Sequence, residues 1–105
     1  MSRTSEREAR KLLRLAVAHF GPKTQLVKCV EEMSELQKEI CKLLADREKY
    51  SRESLIEELE DVEIMLEQLR MIASISPEEE RRMQRRKLML LEERLLFTRE
   101  DGPQA

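Results

Sequence analysis

The chain is predicted to be all-α, an antiparallel helical bundle of about four helices that is completed by oligomerisation. Charged residues make up 40% of its 105 residues and hydrophobic residues another 40%, a balance typical of exposed amphipathic helices. It contains three aromatic residues and two glycines, too few for many short strands and their turns. A helical chain of this length has a modest core, so we expect further surface to be buried between subunits.

Turn-forming residues divide the chain into four helical segments. The first runs from about residue 5 to residue 20 and ends at Gly21-Pro22. The second covers about residues 23–47, and the third follows an N-cap at Ser51. These two segments are predicted to pack as neighbours because only a short connection joins them.

The fourth segment starts at a typical helix N-terminus. Ser76 is a natural N-cap, Pro77 occupies the first helical position, and three glutamates follow it. This helix is predicted to continue to about Thr98. Residues 1–98 are therefore predicted to form a single domain, and residues 99–105 a flexible tail.

Several classes of protein are not expected. No apolar run is long enough to span a membrane, and the N-terminus lacks a signal-peptide pattern, so a cytoplasmic location is predicted. A net charge of −2 makes a nucleic-acid partner unlikely on electrostatic grounds. Cys29 and Cys41 are about 18 Å apart along one predicted helix, which rules out a disulfide between them.

Acidic residues on the second helix lie beside its apolar face. With about 100° per residue, that face is centred on Met33 and is expected to point to the core. Glu32, Glu35 and Glu39 then form one stripe along its border. Acids placed there, rather than opposite the core, suggest a role beyond solubility.

The third helix repeats this design. Glu58 and Asp61 border the apolar side around Leu59, spaced i, i+3 like Glu32 and Glu35. Like charges brought together cost stability and raise carboxylate pKa values, whereas a hard cation such as Mg²⁺ removes that cost. Two antiparallel helices would gather the four carboxylates around one or two ions. Spacing alone also permits a simple solvated acidic face.

The same residues resemble a known family. Residues 31–36 (EEMSEL) and 57–62 (EELEDV) look like the paired E-x-x-E and E-x-x-D motifs of the MazG-like all-α nucleotide pyrophosphohydrolases. The resemblance covers about residues 19–72 and includes Gln25 before the first motif. It implies Mg²⁺-dependent hydrolysis of a nucleoside triphosphate (NTP or dNTP) to the monophosphate and pyrophosphate, with Mn²⁺ as a substitute. It also implies a homodimer or homotetramer.

The resemblance assigns roles residue by residue. The metal ligands it implies are Glu32, Glu35, Glu58 and Asp61. Glu35 and Glu39 are the candidate catalytic residues, with Glu39 as a ligand or a base that orients water. Of the candidate substrate-binding residues, Gln25 matches the family pattern, whereas Lys28, Arg82, Arg86 and Lys87 are proposed from their positive charge and not from the resemblance.

This sequence also departs from the family. Many relatives hold phosphate and sugar with an asparagine, or with a defined lysine and aspartate, after the second motif, and this chain has no asparagine. A basic cluster around Arg82 and Arg86 could grip a triphosphate instead, or could simply be solvated beside the preceding glutamates. The alternative function is a non-catalytic helical oligomerisation or protein-interaction module, in which the acids need no metal.

Overall fold

The computed structural model describes the backbone of residues 3–100 and the side chains of residues 5–98. Four α-helices follow one another in this range, and it contains no β-strand. The helices are α1 (Arg3–Phe20), α2 (Pro22–Ala45), α3 (Arg52–Ile72) and α4 (Pro77–Glu100). The all-α prediction is confirmed. Of the predicted tail, residues 101–105 lie outside the described range.

Local chemistry sets the breaks between the helices. Gly21 separates α1 from α2 with a φ of 93°, in the left-handed region that glycine adopts without a steric cost. Ser51 caps α3, since its Oγ accepts a hydrogen bond from the Ser54 N–H at 3.2 Å. At α4, Ser76 Oγ accepts from the Glu79 N–H at 3.2 Å, and Glu79 Oε2 accepts from the Ser76 N–H at 3.4 Å. This is a capping box, and both predicted serine caps are confirmed.

The described chain separates into two compact units after Ser74, a residue with a positive φ of 54°. The first unit contains α1, α2 and α3, and the second contains α4. Within the first unit α2 and α3 share the most extensive interface, while α1 packs less closely on both. Across residues 3–100, each helix is too short or too polar to cross a membrane.

The interior of the first unit is small and half polar. Among the described residues, the buried apolar side chains are Cys29, Val62 and Met65. The buried polar side chains are Gln25, Glu39 and Gln68. Half of the buried set is therefore polar, and its stability depends on how those polar groups are satisfied.

The apolar face centred on Met33 is not the buried face of α2, contrary to the expectation from periodicity. Met33 is 47% exposed, Val30 68% and Leu44 82%. The buried residues of α2 include Gln25 and Cys29, which lie about 40–80° around the helix from Met33, towards the acids. Helix α3 covers only one side of α2, and the side it covers is the one that carries the acidic stripe.

Candidate metal centre

Three carboxylates from the two predicted motifs converge between α2 and α3. Glu32 of α2, and Glu58 and Asp61 of α3, each offer an oxygen atom within 4.8 Å of those of the other two. All three side chains are partly buried. An i, i+3 pair on α3 thus faces a single acid on α2, which is a geometry that one cation can bridge.

Burial and negative charge together disfavour ionisation of Glu32. Removal from solvent is the largest cause that raises the pKa of Glu32, and the charge of Asp61 and a hydrogen bond with it raise the pKa further. Lys28 opposes this change, with its Nζ 4.0 Å from Glu32 Oε1. One lysine at that distance compensates the acids only in part, so Glu32 keeps a raised pKa.

The pKa of Glu58 is also raised, and one of its carboxylate oxygens has no hydrogen-bond partner among the described residues. Burial raises the pKa of Glu58 most, followed by the charges of Glu32, Asp61 and Glu35. Its Oε2 atom is buried and has no hydrogen-bond partner among the described residues. A buried carboxylate oxygen without a partner is costly, and a bound cation would satisfy it.

Glu35 stands at the edge of this group rather than inside it. Its side chain is 49% exposed, and its Oε1 accepts a hydrogen bond from Lys38 Nζ at 3.2 Å. Its charge nevertheless raises the pKa of both Glu32 and Glu58, so it belongs to the same electrostatic neighbourhood. The structure therefore brings three of the four predicted ligands together and leaves Glu35 turned towards Lys38.

Glu39 is more deeply buried than any of these acids. Only 8% of the residue is exposed. Its Oε2 is paired with Lys42 Nζ at 3.0 Å, whereas its Oε1 is buried without a hydrogen-bond partner among the described residues. Glu39 is not part of the three-carboxylate group, and one of its oxygens remains available to a water or an ion.

Gln25 has a partner that the sequence did not indicate. Its Nε2 donates a 2.7 Å hydrogen bond to Oε1 of Gln68, and both residues are buried. Gln68 Nε2 lies 3.8 Å from the sulfur of Met65. Gln68 lies seven residues after Asp61 on nearly the same side of α3, outside the two acidic motifs. Gln25, a candidate substrate contact, is thus placed in the α2–α3 interface.

The remaining candidate substrate contacts fall into two groups. Lys28 forms the long ion pair with Glu32, and its side chain is 55% exposed. Arg82, Arg86 and Lys87 are exposed residues of α4 in the second unit. Arg82 and Arg86 border one shallow surface cavity of about 250 Å³, as expected for residues one turn apart. Lys87 does not line that cavity.

No protein-family model, curated protein or solved structure gives a significant match to this chain. The motif resemblance and the geometry of the three carboxylates are therefore the features that bear on its function.

Proposed function

We propose that the chain is a metal-dependent nucleotide pyrophosphohydrolase, which converts an NTP or dNTP to the monophosphate and pyrophosphate. One observation carries the proposal. Carboxylates from both halves of the MazG-like motif pair, Glu32 on α2 with Glu58 and Asp61 on α3, approach within 4.8 Å of one another. A solvated acidic face gives no reason for acids of two helices to meet in a partly buried position, where each raises the pKa of another.

The residues present suit Mg²⁺ or Mn²⁺. Both are hard ions that prefer carboxylate oxygens, and the donor set consists of carboxylates. The buried Oε2 of Glu58, which has no hydrogen-bond partner among the described residues, is an atom that a cation would satisfy. Glu32, Glu58 and Asp61 would hold the ion, with Glu35 as the predicted fourth ligand. When bound, the metal would neutralise phosphate charge and lower the pKa of a bound water.

The side chains around the metal site have distinct roles in this proposal. Glu35, at the exposed edge, would accept a proton after a rotation away from Lys38. Glu39 is held at Oε2 by Lys42 and offers Oε1 to orient a water. Lys28, beside Glu32, supplies positive charge for a phosphate oxygen. Arg82, Arg86 and Lys87 of α4 remain candidate contacts to the triphosphate.

We also infer that α2 and α3 run antiparallel and that further copies of the chain complete the bundle. An early residue of α2, Gln25, bonds a late residue of α3, Gln68, and the later Glu32 meets the earlier Asp61. This reversed order supports the antiparallel pairing. Many large apolar side chains of α1, α2 and α4 are exposed, which supports assembly into a homodimer or homotetramer.

A substrate panel tests the activity. The purified chain is incubated with Mg²⁺ and each NTP and dNTP, and the products are identified by chromatography. We expect a monophosphate and pyrophosphate, without a diphosphate intermediate. Glu58→Gln and Asp61→Asn should abolish the reaction, whereas the exposed neighbour change Glu60→Gln should not. The absence of pyrophosphate from the whole panel would contradict the proposal.

A second candidate function is a non-catalytic interaction module. The observation that favours it is the exposed apolar surface of α4, where Leu88, Met89 and Leu95 are each more than half exposed. In that case calorimetric titration should detect no Mg²⁺ or Mn²⁺ binding. Neutralising Glu32, Glu58 and Asp61 together should then leave partner binding unchanged. Metal binding that these substitutions remove would exclude the module as the sole function.

A further inference from the structure

The buried amide pair and the metal centre occupy equivalent positions along the two helices. Gln25 precedes Glu32 by seven residues on α2, and Gln68 follows Asp61 by seven residues on α3. Gln25 Nε2 lies 2.7 Å from Gln68 Oε1, and oxygen atoms of the two acids lie within 4.8 Å of each other. In the antiparallel pairing inferred above, both contacts therefore belong to one register of α2 against α3, one heptad apart.

The apolar residues of this interface do not specify that register. A shift of α3 by one heptad, about 10.5 Å, towards the end of α2 would place Leu36 opposite Met65 rather than near Glu58. An apolar contact would replace a mixed one, so the hydrophobic pattern permits the shift. The connection of residues 46–51 permits it as well, since six residues span up to about 20 Å.

The acids of the metal centre do not specify the register when no cation is bound. Burial and the neighbouring negative charges raise the pKa of both Glu32 and Glu58, so the close approach of these acids costs free energy. The same shift would move Glu32 away from Asp61 and place it opposite Gln68, whose amide can donate a hydrogen bond to a carboxylate. The acidic group therefore opposes the register in which it forms.

The buried amide pair is the feature that distinguishes the registers. After the shift, Gln25 would lie beyond the end of α3 at Ile72 and would lose its partner. A shift by one heptad in the other direction would leave Gln68 beyond the start of α2 at Pro22. A buried amide without its partner is costly, and a polar residue at a single core position fixes the register of paired helices.

We propose that Gln25 and Gln68 are positioning residues for the metal centre. Their hydrogen bond selects the register in which the acids of α2 and α3 meet, before a cation is bound. In this role they act through the packing of α2 on α3 and contact neither the ion nor the substrate. The role rests on the metal binding proposed above, whereas the register can be measured without metal.

A distance measurement tests the register in the absence of metal. The parent for all variants carries Cys29→Ala and Cys41→Ser, and nitroxide labels are attached at Thr24→Cys on α2 and Glu53→Cys on α3, both at exposed positions. In the native register these positions are about 24 Å apart along the helix axis, and a heptad shift changes this separation by about 10.5 Å. The labelled chain is diluted with unlabelled chain, so that pulsed electron paramagnetic resonance measures intramolecular distances.

The double leucine variant, Gln25→Leu with Gln68→Leu, removes both polar groups and leaves no buried amide unpaired, so it should remain folded. Without metal we expect one distance in the parent and a second distance in this variant, because the shifted register is no longer disfavoured. A single, unchanged distance in the variant would overturn the proposal, whether or not the chain binds metal.

Calorimetric titration with Mn²⁺ tests the consequence for the metal centre. If the native register falls to about one tenth of the population, the apparent Kd of the double leucine variant rises about tenfold, and saturating Mg²⁺ restores the single distance. The controls are Ser51→Ala, which weakens the cap of α3, and Gln37→Leu, an exposed change on α2; both should keep the parent's Kd.

The two measurements separate this role from the proposed metal site. An unchanged Kd in a variant that shows two distances would overturn the positioning role. If the parent binds no Mn²⁺, the metal site is contradicted, whereas a second distance in the double leucine variant would still show that the amide pair sets the register.

A charge pair at the same positions provides a rescue. Gln25→Lys with Gln68→Glu can form its ion pair only in the native register, because a shift leaves each buried charge without its partner. This variant should show the single distance and the parent's Kd. If it is folded but behaves like the double leucine variant, a polar pair at these positions does not set the register.

Discussion

The buried hydrogen bond between Gln25 and Gln68 provides a quantitative test of how α2 packs on α3. The two residues are 5% and 2% exposed, and Gln25 Nε2 lies 2.7 Å from Gln68 Oε1. Gln25→Leu removes the donor but leaves the buried acceptor, which costs about 1–3 kcal/mol in the free energy of unfolding. For a domain of this size, that corresponds to a fall in Tm of about 4–24 °C.

The double substitution separates the hydrogen bond from the packing around it. Gln25→Leu with Gln68→Leu removes both polar groups and should be much less destabilising than the sum of the single changes. The coupling energy in this cycle should be about 0.5–3 kcal/mol. Urea unfolding followed by circular dichroism measures it, at one protein concentration because association would also change stability.

A glutamine on the exposed surface of α4 serves as the control for this cycle. Gln84→Leu should change the free energy of unfolding by no more than about 0.5 kcal/mol. If Gln25→Leu costs no more than this control, or if the two single changes are additive, the hydrogen bond does not stabilise the α2–α3 interface. The double variant also tests the predicted substrate role of Gln25: activity should survive if Gln25 acts through packing, and fall if it contacts the nucleotide.

Three further predictions concern the metal centre and the helix caps. Because the pKa values of Glu32 and Glu58 are raised above 4.5, their stabilising contribution in the metal-free protein is complete below pH 4.5 and is lost as pH rises through the raised values. Glu58→Gln should therefore reduce the loss of stability between pH 4.5 and neutrality, measured by urea unfolding without metal. Mg²⁺ at about a hundred times its Kd should raise the free energy of unfolding by about 2.7 kcal/mol, and Asp61→Asn should remove this gain in a thermal-shift titration. Ser51→Ala should cost about 1 kcal/mol in the same unfolding assay, since Ser54 N–H loses its acceptor.

The helices were predictable from the sequence because their boundaries depend on nearby residues. The caps at Ser51 and Ser76 satisfy backbone groups three residues away, and the break at Gly21 needs only a φ that glycine permits. The second helix was predicted to extend to about residue 47 but ends at Ala45, where the Asp46 N–H still bonds to the Lys42 carbonyl. Such differences of one or two residues are usual where a helix frays into a turn.

The rotation of α2 against α3 was not predictable in the same way. Periodicity identified an apolar face around Met33, and the usual inference is that such a face points to the core. A helix that has neutral residues beside its apolar face can pack on either of these sides, and the choice depends on residues distant in sequence, such as Gln68. Glu32, Glu58 and Asp61, which the motif resemblance gives as metal ligands, lie close together in the structure, although nothing in the spacing indicated that Glu35 would turn to Lys38.

The metal centre and the exposed apolar side of α2 lie on different sides of the helix, so the proposed metal binding and the proposed assembly are separable by experiment. Glu32 lies about 100° around the helix from Met33, the centre of the apolar side. Val30→Lys with Ile40→Lys should therefore abolish the dependence of Tm on protein concentration but preserve the increase in Tm with Mg²⁺. Glu58→Gln should instead abolish the increase in Tm with Mg²⁺ and preserve the dependence of Tm on protein concentration. If the variant with Val30→Lys and Ile40→Lys also loses the Mg²⁺ effect while its helicity is intact, the metal centre needs a second copy for its geometry, and the two sides of α2 are coupled through the helix.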